Sequence, residues 1–94
     1  MNKREITLNQ ILQRHRGTES QAQRTRILTA IQELGSVTTF EASRLLDCYD
    51  PRARVKELRR DGHQIAAHMR AVQPECGVFH RIGVYLMAAQ ESAK

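Results

Sequence analysis

The residues best suited to act on a partner are the cations of residues 50–62, which read Asp-Pro-Arg-Ala-Arg-Val-Lys-Glu-Leu-Arg-Arg-Asp-Gly. Asp50 is predicted to cap a helix that begins at Pro51, and Gly62 is predicted to end it in a left-handed conformation. The apolar stripe of this helix holds Pro51, Val55 and Leu58, and the opposite stripe holds Arg52, Ala53, Lys56 and Arg60. One side can pack while the other meets a polyanion, although a solvated surface helix would carry the same charges.

If this helix enters a major groove of DNA, its early residues are the candidates for reading bases, because the N-terminal half of such a helix faces base edges. These candidates are Arg52, Ala53 and Lys56. Residues that suit phosphates lie later in the helix or on other elements, namely Thr38, Thr39, Arg24, Arg59 and Arg60. Two further arginines, Arg70 and Arg81, are candidates for a weaker contact from the segment after Gly62.

Two other arginines have open interpretations. Arg54 lies near the packed stripe, so an ion pair with a carboxylate is as good an interpretation as a DNA contact; the carboxylates in question are Glu57, Glu41 and Asp50. Arg26 is either a contact to the DNA backbone or a surface cation with no role.

Metal binding and catalysis have little support in the sequence. Of the four histidines and two cysteines, only Cys76 and His80 have a ligand spacing, and they form half a site. The chain has no glycine-rich phosphate loop, no convincing carboxylate pair and no nucleophile with a base. We therefore expect no enzyme, no cofactor, no metal and no small-molecule substrate.

The bulk properties favour one small module with a polyanionic or acidic partner. The chain has 94 residues, which allow a single small core, and its formal net charge is +5. No apolar run is long enough to span a membrane, and none follows the basic start as in a signal peptide, so a cytoplasmic location is expected. In that compartment Cys48 and Cys76 are most simply free thiols, although a disulfide remains open.

Two further helices are predicted before residue 50. Thr18 and Gln21 fit a capping box that opens a first helix, whose apolar residues are Ile27, Leu28, Ile31 and Leu34. Thr38 and Glu41 fit a second box that opens a short helix with Ala42, Leu45 and Leu46 on its core side. Between them, residues 36–38 are a connector or a stub of strand. A short helix, a tight turn and the helix from Pro51 form a helix-turn-helix.

After Gly62 the apolar period becomes two, which predicts a hairpin over residues 65–87 with its tip at residues 73–77. The register of the second strand is ambiguous, and a bulge near Gly83 would reconcile its two parities. The predicted fold is mainly α with a β-hairpin (α+β), a winged helix-turn-helix of three helices and a two-stranded wing. The predicted domain covers residues 18–87, and residues 88–94 form a polar tail.

An N-terminal amphipathic segment, residues 1–17, precedes this domain. It is helical only if something covers its apolar side, which consists of Leu8, Ile11 and Leu12. Three alternatives remain open: contact with a second copy or another partner, packing on its own domain, or a mobile basic arm.

The order of elements and three motifs resemble a known family. The motifs are Gln-Arg-Thr-Arg-Ile-Leu, Ser-Val-Thr-Thr-Phe-Glu-Ala and Ala-Arg-Val-Lys-Glu-Leu-Arg-Arg-Asp-Gly-His-Gln-Ile, and the resemblance covers about residues 21–87. The chain resembles the small winged helix-turn-helix proteins of bacteriophages, prophages and other mobile elements. This resemblance implies double-stranded DNA as the partner.

The leading expectation is therefore sequence-specific binding of double-stranded DNA by a transcriptional regulator of a mobile element. The alternatives are a DNA-bending accessory protein of excision or recombination, and a winged-helix adaptor that binds another protein. Because one module reads only a few base pairs, a homodimer on related half-sites is also expected.

Overall fold

A computed structural model describes residues 2–72 and 80–88. Within these ranges the chain forms helices and strands in the order α1 (Lys3–Arg14), α2 (Ser20–Leu34), β1 (Val37–Thr38), α3 (Thr39–Arg44), α4 (Pro51–Arg60), β2 (Ile65–Val72) and β3 (His80–Met87). The predicted first, second and third helices are therefore α2, α3 and α4. The hairpin tip expected at residues 73–77 and most of the polar tail lie outside the described residues.

The predicted starts of α3 and α4 and the predicted end of α4 are confirmed. At the start of α3, the Glu41 amide donates to the Thr38 hydroxyl at 2.9 Å, and the Thr38 amide donates to the Glu41 carboxylate at 3.0 Å. At the start of α4, the Asp50 carboxylate accepts from the Ala53 amide at 3.3 Å. Gly62 follows the helix with φ of +107°, a conformation that residues with a Cβ adopt at a cost.

The capping box predicted at Thr18 is wrong. The residue before α2 is Glu19, and its side chain makes no capping hydrogen bond. The Gln23 side-chain amide donates to the Thr18 carbonyl at 2.7 Å, so Thr18 stays outside the helix and is held by its backbone instead of capping through its hydroxyl.

The core is built around α2 and includes the N-terminal helix. Leu8 and Ile11 of α1 are completely buried with Ile27 and Ile31 of α2, and Val55 of α4 lies in the same cluster. Of the three alternatives for residues 1–17, the structure has the segment packed on its own domain. The proposal of Leu8 and Ile11 as dimer contacts is therefore wrong, since neither side chain presents surface to a second copy.

Leu12 is only half-buried, but its apolar neighbours Leu8 and Ile11 are covered, so it offers a small apolar surface. A capping box stabilises the start of α1, and an ion pair ties α1 further to the domain. Asn2 and Glu5 form a capping box, and Arg4 forms an ion pair with Glu41 of α3 at 2.6 Å. The Arg4 guanidinium also donates to the Ser36 carbonyl. The core is thus continuous across the boundary predicted at residues 17 and 18.

The sheet has three antiparallel strands in the order β1-β3-β2, where a two-stranded wing was predicted. The difference comes from Val37 and Thr38, which pair with Tyr85 and Val84 of β3. A segment of two residues is too short to show an alternating pattern, so its pairing with β3 is what identifies it as a strand.

The register of β3 is regular, and the ladder of residues 80–87 has no bulge near Gly83, which resolves the ambiguity left by the sequence. Tyr85 is buried, so Tyr85 and the alternate residues of β3 that share its face point towards the helices. Gly83 serves another purpose: a Cβ at this position would lie 3.3 Å from Cγ2 of Thr39, which is tighter than usual. The glycine lets α3 approach β3 closely.

Candidate nucleic-acid interface

The outward face of α4 presents cations without partners. Val55 and Leu58 are buried in the core, whereas Arg52, Lys56 and Arg60 are exposed. These three are spaced four residues apart, which places them about 6 Å apart along one side of the helix. Among the described residues, none of the three has an ion-pair or hydrogen-bond partner. Ala53 lies half-buried at the edge of this face.

A groove of about 440 Å³ lies between α4 and the sheet. One wall carries Arg52, Lys56 and Arg59, and the apolar part includes Val55, Ala67, Met69 and Tyr85. Among the described residues, no carboxylate lines it. A cationic wall beside an apolar floor, open to solvent, suits a partner that carries both anionic and apolar groups.

Arg59 and Tyr85 are fixed within this groove. The Arg59 Nε donates to the Ile65 carbonyl at 2.9 Å, which holds the guanidinium at the start of β2. Burial raises the pKa of Tyr85, and the positive charges of Arg52 and Arg59 oppose that rise. Since the ordinary pKa of tyrosine is already near 10, the phenol is neutral at physiological pH.

On the opposite side of α4, the cations are paired. Glu57 of α4 lies 2.9 Å from Arg24 of α2 and 2.9 Å from Nε of Arg54. Arg54 also donates to the Ser20 hydroxyl. Of the two interpretations of Arg54, the ion pair with Glu57 is present in the structure. Arg24, a candidate for a phosphate contact, is paired in the same network.

The geometry of the Arg54–Glu57 pair is uneven. Nε of Arg54 is buried and lies within ion-pair distance of Glu57, but it lacks a well-aligned hydrogen bond. The Nη2 group makes that hydrogen bond instead, at 3.1 Å. The pair is an electrostatic contact all the same, because the two charges are close whatever the alignment of one N–H.

The two threonines expected to hold a phosphate use their hydroxyls inside the protein. Thr38 is buried, and its hydroxyl caps α3. The Thr39 hydroxyl accepts from the Gly83 amide at 3.2 Å. Both hydroxyls therefore have partners inside the protein, and capping and strand contact explain why threonine stands at both positions.

Arg26 was predicted to lie at the surface, but the structure places it in the core. The side chain is completely buried, so both expectations for it are wrong. Its guanidinium donates to backbone carbonyls of two separate segments. The acceptors are His15 at 2.6 Å and Gly17 at 2.9 Å in the first segment, and Leu46 at 2.7 Å and Asp47 at 3.3 Å in the second. These bonds tie the end of the N-terminal segment to the turn before α4. Arg26 lies four residues from Ala22 and from Ala30, both buried, and this period is the signal that places it inside.

The two candidate arginines of the wing lie on opposite faces of the sheet. Arg81 pairs with Ala71, and Arg70 pairs with Ile82. Directly paired residues share a face, so Arg81 lies on the face of Ala67 and Met69 that lines the groove. Arg70 lies on the other face. Both are exposed, but only Arg81 is on the same side as α4.

The thiol and histidine groups do not assemble a metal site within residues 2–72 and 80–88. Cys48 is buried as a free thiol, and its Sγ contacts the Gln23 side-chain oxygen at 3.5 Å. Burial is the main cause that raises its pKa to about 11, so the thiol is protonated at physiological pH and is a poor metal ligand. Cys76 lies outside the described residues.

Helices in the same ranges are all too short or too polar to cross a membrane. The cationic face of α4, its position after a short helix and a turn, and the antiparallel sheet behind it are the features of a winged helix-turn-helix.

Comparison with known proteins agrees with this geometry. No curated protein and no solved structure matches the chain significantly. A family model described as a winged helix-turn-helix domain matches residues 22–90, a span that runs from the start of α2 past the end of β3 and covers well over half of the chain. The chain therefore belongs to the winged helix-turn-helix domain family, and this membership points to DNA binding.

Proposed function

We propose that this protein binds double-stranded DNA sequence-specifically by placing α4 in the major groove, and that it acts as a transcriptional regulator without catalytic activity. The observation that carries the proposal is the contrast in partners among its cations. Arg24, Arg26 and Arg54 are paired or bonded inside the protein, whereas Arg52, Lys56 and Arg60 are exposed and unpaired among the described residues.

The roles along α4 follow from position. Arg52 and Lys56 lie in the N-terminal half of the helix, and an arginine can form two hydrogen bonds with a guanine edge. Ala53 offers a methyl group for contact with thymine at the edge of the same face. Arg59 and Arg60 lie in the last turn and suit phosphates, as does Arg81 on the neighbouring face of the sheet.

The regulatory role and the mobile-element context rest on the resemblance of the three motifs to small phage and prophage proteins. Binding as a homodimer is part of the same proposal, because one module reads too few bases to be selective. Since Leu8 and Ile11 are buried, the two copies would meet through another surface or only on the DNA. Duplexes enriched by this protein should then contain two related half-sites.

The test is selection of bound duplexes from a random DNA pool, followed by anisotropy titrations of the enriched duplex and of a mixed-sequence duplex. Arg52→Ala and Lys56→Ala should each reduce affinity for the enriched duplex by about tenfold or more, since a good base contact contributes about 1–3 kcal/mol. The loss on the mixed-sequence duplex should be smaller.

Arg14→Ala is the matched control, because Arg14 is also an exposed cation but pairs with Glu33 between α1 and α2. It removes the same charge and should leave the preference for the enriched duplex unchanged. Wild-type affinity in both α4 variants would overturn the assignment of α4. Strong bending of the enriched duplex would favour an excision accessory protein, and failure to enrich any duplex would favour a protein adaptor.

A further inference from the structure

An aromatic ring and a guanidinium are exposed together beside the start of α4. Phe40 of α3 is 56% exposed, and the guanidinium carbon of Arg44 lies 5.4 Å from the centre of its ring. This distance is within the range of a cation–π interaction. Among the described residues, Arg44 has no carboxylate partner. A single exposed phenylalanine is ordinary, but this one borders a cavity.

The cavity, here called the flanking cleft, has a volume of about 380 Å³ and is lined by residues that include Phe40, Ser43, Arg44, Pro51 and Arg52. Asp50 is its one carboxylate, and that group accepts from the Ala53 amide as the cap of α4. With two arginines against one carboxylate, the cleft carries a net positive charge.

The flanking cleft is continuous with the groove between α4 and the sheet. Thr39 and Arg52 line both. A partner that lies along the outward face of α4 and passes Arg52 would reach Arg44 and Phe40 next. The two cavities thus meet at the N-terminal end of α4, where the proposed function places the base contacts.

We infer that the flanking cleft binds the sugar–phosphate backbone of the same duplex, beside the bases that α4 reads. This inference rests on the proposed function and extends it to residues of α3. Arg44 supplies the charge for a phosphate, the Ser43 hydroxyl can donate to a phosphate oxygen, and the Phe40 ring offers apolar surface to a deoxyribose. Stacking on Phe40 restricts the Arg44 guanidinium before DNA arrives, which lowers the entropy lost on binding.

The backbone assignment predicts a different pattern from that of Arg52 and Lys56. Arg44→Ala should weaken binding to the enriched and the mixed-sequence duplex by the same factor, about threefold to tenfold, because a phosphate contact carries no base information. The slope of log affinity against log salt should fall by about 1. Arg44→Lys keeps the charge and should restore the slope.

Phe40→Ala should also weaken binding to both duplexes, by about threefold, without changing the salt slope. If the ring holds the guanidinium in place, the double variant should lose less affinity than the two single losses predict together. The unfolding midpoint should stay at the wild-type value in each variant, because both side chains are exposed.

Controls on α1 separate this site from general effects of charge and apolar surface. Arg14→Ala removes an exposed cation, and Ile6→Ala removes an exposed apolar side chain. Neither should alter affinity for either duplex beyond the small effect of net charge. A duplex with a neutral methylphosphonate at each flanking position in turn should locate the contact: wild type loses affinity at one such position, and Arg44→Ala shows no loss there.

The outcomes distinguish this inference from the proposed function. A wild-type protein that binds neither duplex removes the proposed function, and this inference with it. A wild-type protein that binds DNA while Arg44→Ala and Phe40→Ala keep its affinity and salt slope overturns the backbone assignment alone. Loss of preference for the enriched duplex in Arg44→Ala would also overturn it, because Arg44 would then read bases.

Discussion

The two sides of α4 carry arginines two residues apart that have opposite environments. Arg54 faces α2, where it contacts Glu57 and Ser20 and its side chain is 17% exposed. Arg52 faces outward, borders both cavities and has no partner among the described residues. The helix turns by about 200° between them, so the same residue type stabilises the domain on one side and is free to bind on the other.

The inward side shows why charge alone predicts binding poorly. Arg24 and Arg54 share Glu57, and the acceptors of Arg26 among the described residues are all backbone carbonyls. Together they hold α2 against α4 and against the turn before α4. They therefore orient the helix whose outward face is proposed to read DNA. The comparison can be tested by removing cations from each side in turn.

The largest effect is expected for Arg26→Met, which keeps much of the side-chain volume and removes all of its donors. The carbonyls of His15, Gly17, Leu46 and Asp47 would lose a charged hydrogen-bond donor in a buried site. We expect the free energy of unfolding to fall by about 3–5 kcal/mol, measured by urea denaturation.

Arg16→Met is the control, because Arg16 is exposed and its only partner among the described residues is Gln13. Its unfolding free energy should change by no more than about 0.5 kcal/mol. Equal stability of the two variants would show that the carbonyl contacts of Arg26 do not hold the turn.

A smaller effect is expected for the ion pair between α1 and α3. Burial acts to raise the pKa of Glu41, but the hydrogen bonds from Arg4 and Thr38 outweigh it, and the net pKa is lowered. A lowered carboxyl pKa contributes stability above its unfolded value, near 4.5, and the contribution disappears as the pH falls through the lower folded value.

Arg4→Ala should therefore reduce the free energy of unfolding by about 1 kcal/mol at neutral pH, a modest effect because solvent reaches the pair. The difference from wild type should shrink as the pH falls from 4.5 through the lower folded pKa, because Glu41 becomes protonated first in the unfolded chain and then in the folded protein. Urea denaturation across this pH range measures it. A difference that stayed constant down to the acid limit would mean that Arg4 acts through the Ser36 carbonyl alone.

Much of the fold follows from local sequence signals. The caps of α3 and α4, the left-handed Gly62 and the alternation from Ile65 all depend on neighbours within a few residues, and each was predictable. What sequence could not supply is contact between distant segments. The acceptors of Arg26 come from two segments far apart in the chain, and the strand at Val37 exists only through its pairing with Tyr85.

The candidate site divides in the same way. The outward position of Arg52 and Lys56 follows from the helical period, because it needs only the sequence of α4. The burial of the Thr38 hydroxyl and the pairing of Arg24 depend on α3 and α4 meeting other elements. The exposure of Phe40 was not predicted either, because an aromatic residue in a short amphipathic helix is usually expected in the core.

The most direct measurement pairs Arg52→Ala with Arg54→Ala, scoring DNA affinity and unfolding free energy for both proteins. Arg52→Ala should lose about tenfold or more in affinity for the enriched duplex with unchanged stability, and Arg54→Ala should lose about 1–3 kcal/mol of stability with an unchanged preference for that duplex. Wild-type affinity in Arg52→Ala, or an equal loss of preference in a folded Arg54→Ala protein, would contradict the division of α4 into a reading side and a structural side.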